Sequence, residues 1–349
     1  MHVSDDEFVK GFSKIIRLIV VLFVVVVMLY FINPDIFTVP IEFIEDSTVK
    51  VIEDKEIRES VKDTCMDFES KVEKIKSGNV TKILVPYIGS LDGEISEEWL
   101  TNVDSHFIQF HLENEIPAAL SIYATDLEDN DVFDTLLKKI YLSNCFEILQ
   151  KGTDTPKIDM FLHKTPFYQQ KAKIHIGKER LEEKINKLLP EQNVSIFSFN
   201  ALMGVVNEDT MRALEELGFK SYFELYIGDD IEIMNQTTDF DVYQYSVGFP
   251  EDSESMDYED FNTLEYLLNR MEEIASENRA GVRKFGNITI VPVFIENWDI
   301  EEYDNEKMQR NGIVNVTKWE MYKSAYLKFN SMNDTVIMTP SQIWEMKRM

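Results

Sequence analysis

The sequence predicts an α/β protein, a distorted (β/α) barrel or an open parallel sheet of the same wiring, preceded by one N-terminal transmembrane helix. Three observations carry this expectation. Short β-like runs alternate with amphipathic helical stretches from residue 82 to the C-terminus, the pattern of a parallel sheet with helical crossovers. Hydrophobic residues make up 44% of the 349, enough for a packed core. The run Ile15 to Ile32, IIRLIVVLFVVVVMLYFI, holds one charge, Arg17, and has about the length needed to cross ~30 Å of hydrocarbon.

In order, residues 1–14 read as a cytoplasmic tail and 15–32 as a signal anchor. No small-x-small cleavage pattern follows the span, Lys10 and Lys14 precede it and Arg17 sits near its start, which keeps the N-terminus inside. Residues 33–79 are a connecting segment ending in an amphipathic helix over 54–78, with Ile57, Val61, Cys65, Phe68, Val72 and Ile75 on one face and Gly78 at its end. Residues 80–349 form one extracytoplasmic domain. There, strand 82–89 precedes a helix over 95–114 capped by Ser96, strand 117–124 precedes helix 129–143, and strand 145–152 precedes a long helix over 165–189. Strand 194–200 leads to helix 207–218, capped by Asn207 and ended by Gly218. Strands 220–227 and 241–249, a helix near 258–280, strand 287–295, a helix over 316–331, strand 334–340 and a terminal helix complete the series.

The net charge of −28 opposes association with nucleic acid or anionic lipid through bulk electrostatics, and no EF-hand spacing offers a calcium loop. Cys65 and Cys145 are compatible with one disulfide outside the cell or with two buried thiols. Asn-x-Ser/Thr sequons at Asn79, Asn193, Asn235, Asn287, Asn315 and Asn333 agree with an external location. His106, His111, His163 and His175 read as surface or cap residues, without Cys or Asp at ligand spacing. No P-loop, G-x-S-x-G, C-x-x-C or H-E-x-x-H is present.

In a parallel barrel the loops after the strands form the site face, which brings residues 89–94, 150–155 and 200–206 together. Of these, SFNALMGVVNEDTMRALEELGFKSYF (198–223) resembles the polysaccharide deacetylase family, defined by the NodB homology domain, through Gly204, Asn207, Thr210, Leu214 and Leu217-Gly218-Phe219. The stretch from Glu115 to Gly152, ending FEILQKG, is similar to that family's strand, helix and strand before its histidine loop. The resemblance spans roughly residues 80–345 and implies a NodB-type distorted barrel.

It also implies a divalent metal, such as zinc, held by one Asp and two His, with a second Asp as base and a further His as acid. Asp92 stands at the metal-binding Asp, but Leu91 stands at the base and Lys151 and Thr155 at the two metal histidines. Asn200, Ala201, Leu202 and Met203 replace the Arg-Pro-Pro-Tyr loop, and the strand at 287–295 offers no acid histidine. An ammonium does not ligate a metal until it loses its proton, so no metal ligand set closes. The resemblance therefore implies a pseudoenzyme whose cleft residues Lys151, Thr153, Asp154, Asn200 and Glu296 bind a cell-surface glycan, an amino-sugar polymer or a protein partner, with no nucleic acid. Two alternatives stay open: an active carbohydrate deacetylase, hydrolysing non-peptide C–N bonds through Asp92 with Asp154 or Glu296, and an acidic structural surface protein.

Overall fold

The computed structural model describes Cys65 and residues 68–91, 100–124, 127, 130–143, 145–152, 162–201, 206–224, 241–244, 247–248, 269, 283–295, 300–304 and 309–349. The chain divides into two compact units, Met1–Ile57 and Arg58–Met349, and all described residues belong to the second. The expected tail, span and most of the connecting segment lie outside the described residues. Among the described residues no helix is long and apolar enough to cross a membrane.

The second unit runs α1 (Phe68–Lys76), β1 (Lys82–Leu91), a π-helical turn (Leu100–Asp104), α2 (Ser105–Glu113), β2 (Ala118–Tyr123), α3 (Asp131–Leu142) and β3 (Phe146–Lys151). A 3₁₀ turn (Leu162–Lys164), α4 (Phe167–Leu188), β4 (Ser198–Asn200), α5 (Glu208–Glu216), β5 (Ser221–Glu224), β6 (Asp241–Gln244) and β7 (Val247–Gly248) follow. The chain ends with β8 (Arg283–Phe285), β9 (Ile288–Ile295), β10 (Glu301–Asp304), β11 (Gln309–Val314), α6 (Val316–Ser331), β12 (Thr335–Ile337) and α7 (Pro340–Met346).

The sheet order is β6-β5-β4-β3-β2-β1-β9-β7, with β12 beside the first half of β1 and β8 beside β9. Every pairing in it is parallel except β8 with β9. The sheet curls. Laid flat, β1 and β5 would stand about 19 Å apart, four strand spacings. Yet the rings of Tyr87 on β1 and Phe223 on β5 stack at 4.9 Å, and Phe294 of β9 stacks on Tyr87 at 5.1 Å.

Alternation along the strands sorts the core into two faces. Ile83, Val85, Tyr87, Ala119, Leu149 and Phe223 share one cluster, closed by Val72 and Ile75 of α1 and Ile343 and Met346 of α7. Leu84, Ile88, Leu120, Ile122, Ile148, Phe199 and Tyr222 pack on the other face with helical residues such as Phe107, Phe133, Ile174, Leu214 and Tyr326.

Local signals explain the better-defined ends. Asn207 and Thr210 form a reciprocal capping box at α5. That helix closes on Gly218 at φ +77°, with Phe219 N–H donating to Leu214 O and Gly218 N–H to Glu215 O, a Schellman end.

Several expectations need correction. The helix expected over 95–114 is, in its described part, a π turn followed by α2; Ser96 lies outside the described residues. The strand expected from 194 begins only at Ser198, because the N–H of Ile196 donates to Glu182 Oε1 at 2.9 Å instead of to a neighbouring strand. Alternation of strand and helix did not foresee the antiparallel β10–β11 pair or β8. Most of the helix near 258–280 lies outside the described residues.

Cys65 and Cys145 are joined in a disulfide with Cα atoms 5.2 Å apart, which ties the approach to α1 to the start of β3. His111 is neither a surface nor a cap residue. It is fully buried, its Nδ1–H donates to Ile116 O at 2.7 Å, and its Nε2 accepts from the Tyr322 hydroxyl at 2.6 Å. A carbonyl only accepts, so the contact to Ile116 sets this tautomer.

Candidate functional site

The parallel registers place Tyr123, Lys151, Asn200 and Phe223 abreast at the C-terminal ends of β2, β3, β4 and β5. This is the rim on which an α/β sheet of this kind carries ligands. Two of the residues singled out in the sequence, Lys151 and Asn200, are therefore brought onto neighbouring strands. Asp92, Thr153, Asp154 and Glu296 lie outside the described residues, as do Thr155, Leu202 and Met203.

Lys151 is 5% exposed. Its alkyl stem enters the curled sheet on the same side as Leu149, and its Nζ lies 5.0 Å from the centroid of the Tyr123 ring, a cation–π distance. Gly152 follows at φ +70°, a conformation a side chain would strain, and donates its N–H to Asn200 O at 3.0 Å. The strand thus turns into its loop immediately after the ammonium. Asn200, 4% exposed, donates its Nδ2–H to Phe223 O at 3.1 Å, which locks the ends of β4 and β5 together.

Beneath the rim the same face carries the Phe223–Tyr87–Phe294 stack. Ser121, one strand over, is wholly buried and its hydroxyl has no hydrogen-bond partner. On the opposite face Gln150 donates from Nε2 to Gly152 O at 2.9 Å and to Ile174 O at 3.0 Å, bracing the corner against α4. Tyr87, Tyr123 and Phe294 were not picked out from the sequence; the available signal was their two-residue alternation with the rim positions.

At the other end of the same face lies a half-buried carboxylate. Glu147 accepts from the Ser198 hydroxyl, and its Oε2 accepts from Ser341 N and Oγ, both at 2.7 Å; Ser198 in turn contacts Ser221. Enclosure pushes the Glu147 carboxyl above the usual carboxylate range, against the opposing pull of its hydrogen bonds. This group pins the N-terminus of α7 beneath the sheet and is remote from the rim along β3.

The family that the sequence resembles would place a metal at the rim. The donor set does not fit one: Lys151 supplies an ammonium where an imidazole is required, and desolvating a divalent cation beside it is opposed by charge. Among the described residues no three His, Cys, Asp or Glu side chains come together as a ligand set.

Fold and rim define the class: a parallel, curled α/β sheet with helices and a polar, aromatic-backed face at its strand ends. No family model matches the chain, and no curated protein matches it in sequence. Solved structures similar to it include a protein from Mycobacterium smegmatis assigned to the polysaccharide deacetylases, at 14% identity and TM-score 0.48 over 77% of this chain and 91% of that one. A 4-α-glucanotransferase from Thermococcus litoralis is similar at 12% identity and TM-score 0.48 over 76% of this chain. A CE4 family pseudoenzyme from Bacillus anthracis is similar at 9% identity and TM-score 0.41, also over 76% of this chain. This chain spans 40% of the glucanotransferase and 66% of the pseudoenzyme. Likeness at this level assigns no activity, metal or substrate.

Proposed function

We propose that this protein is a membrane-anchored, extracytoplasmic polysaccharide-deacetylase-like protein that binds cell-surface glycan at its strand-end rim and lacks metal catalysis. The observation that carries the reading is Lys151: a buried ammonium at the end of β3, in register with Asn200 and over the Tyr123 ring, in the place of a metal-binding histidine. A fixed cation beside amide and aromatic groups offers hydrogen bonds and ring contact to a sugar, and it repels the ion that would activate water. The Cys65–Cys145 disulfide supports an oxidising compartment, and the uncharged run Leu18 to Ile32 supports an anchor.

The test pairs metal titration with glycan binding on the purified protein. Zinc added to it is expected to show only weak carboxylate association, while a glycan array shows saturable binding that Lys151→Ala or Tyr123→Ala weakens by tenfold or more, about 1.4 kcal/mol. Stoichiometric zinc lost on Asp92→Ala, with acetate released from acetylated amino-sugar oligomers, would replace this reading by an active deacetylase. No saturable glycan binding would remove the glycan half of the proposal.

A further inference from the structure

The strand register gathers three of the sequons at the end of the sheet opposite the rim. Asn79 precedes β1, Asn333 precedes β12 and Asn287 precedes β9, and these are neighbouring strands, with Lys82 opposite both Thr335 and Thr289. Their hydroxyl residues Thr81, Thr335 and Thr289 therefore stand nearly abreast. Thr81 N–H donates to Asp334 O at 2.8 Å, and Thr289 N–H to Thr81 O at 2.9 Å. Asn193 lies in the connection from α4 to β4, again ahead of a strand. All four asparagines are exposed and none is in a helix or strand. Asn315 differs: it is half-buried at the start of α6, and its Oδ1 accepts the N–H of Lys318 at 3.0 Å.

From this placement we infer that Asn79, Asn193, Asn287 and Asn333 carry N-linked oligosaccharide, forming a saccharide collar around the N-terminal rim of the sheet. In the transfer each asparagine Nδ2 bonds to the anomeric carbon of a polyprenyl-diphosphate-linked oligosaccharide. The carbon–oxygen bond to the diphosphate breaks, the lipid diphosphate leaves with the electron pair, and Nδ2 gives up one proton. The inference rests on the extracytoplasmic location of the proposed function, and goes beyond it by assigning a covalent modification and its pattern.

Two consequences follow from the geometry. Strand β1 has 10 residues, so the collar stands about 30 Å from the candidate glycan-binding rim and leaves it uncovered. Thr289 and Thr335 are 4% and 2% exposed, whereas Thr81 is exposed. A transferase that must reach the sequon hydroxyl meets Thr289 and Thr335 only before the sheet closes, so transfer there accompanies chain entry rather than follows folding.

The test is peptide mapping by mass spectrometry of the full chain isolated from the cells that make it, with the Cys65–Cys145 redox state read by thiol labelling of the same sample. Peptides bearing Asn79, Asn193, Asn287 and Asn333 are expected mostly with an added saccharide mass, and that bearing Asn315 mostly without. Thr81→Ala should abolish the added mass at Asn79 alone and Thr81→Ser retain it, which distinguishes sequon recognition from incidental sugar adducts. Unmodified asparagines in a protein whose cysteines are paired would overturn the collar and leave the location standing. Unmodified asparagines with free thiols would overturn both.

Discussion

His111 gives the fold a specific vulnerability to acid. The imidazole is enclosed by Phe110, Phe146, Tyr322 and Tyr326, and burial lowers its pKa from 6.5 to about 4, only partly opposed by the Ile116 carbonyl. The folded-state value lies below the unfolded one, so between these values the unfolded chain binds the extra proton. The stabilising term is present above pH 6.5 and is lost as pH falls toward 4. From the two values the loss is about 2 kcal/mol at pH 5 and about 3 kcal/mol at pH 4.

The perturbation is His111→Phe, which keeps an aromatic ring but removes the imidazole nitrogens that bond the Ile116 carbonyl and the Tyr322 hydroxyl. It is expected to cost roughly 2–4 kcal/mol at pH 7. Urea unfolding of parent and variant at pH 7, 6 and 5 is the assay. Because the variant cannot take up the proton, the stability gap between the two should shrink by about 2 kcal/mol from pH 7 to pH 5. Parallel stability curves across that range would refute a neutral, desolvated imidazole at this position.

The other predictions concern the two ties across the sheet's lower end. Reducing the Cys65–Cys145 bond, which spans a sequence separation of 80, should lower unfolding free energy by about 4.5 kcal/mol on the chain-entropy model. Unchanged denaturant midpoints with and without reductant would contradict this. Glu147 titrates with the opposite sign to His111. Its carboxyl is raised in the fold, so its favourable contribution is complete at acid pH and is lost as pH rises from the ordinary carboxylate value through the raised one. Glu147→Gln should therefore be less destabilising at pH 8 than at pH 4.5, measured by the same urea titration; a gap independent of pH would exclude a desolvated carboxyl there.

Legibility followed the range of the determining interactions. Helices α3, α4 and α6 sit close to their expected bounds, because apolar spacing and a cap such as Asn130 or Asn315 lie within a few residues of each other. The β10–β11 pair and the shortened β4 escaped, since antiparallel pairing and the Glu182 contact to Ile196 depend on residues distant in the chain. His111 was misplaced for the same reason. Five residues along a helix from His106, nothing local announces that Tyr322 will cover it from α6.

At the candidate site, the sequence by itself determined that the third strand ends on an ammonium, Lys151, because that is a property of the residue alone. It also determined the parallel wiring, through the alternation of strand-like and helix-like periods. Only the tertiary structure decided that Lys151 lies beside Asn200 and over Tyr123, that Cys65 meets Cys145, and that Tyr87 stacks on Phe223. The strand-end neighbours follow from parallel register across separate stretches of chain, and the Tyr87–Phe223 stack exists because the sheet curls, a curvature set by the summed twist and packing of many strands rather than by any short stretch of chain.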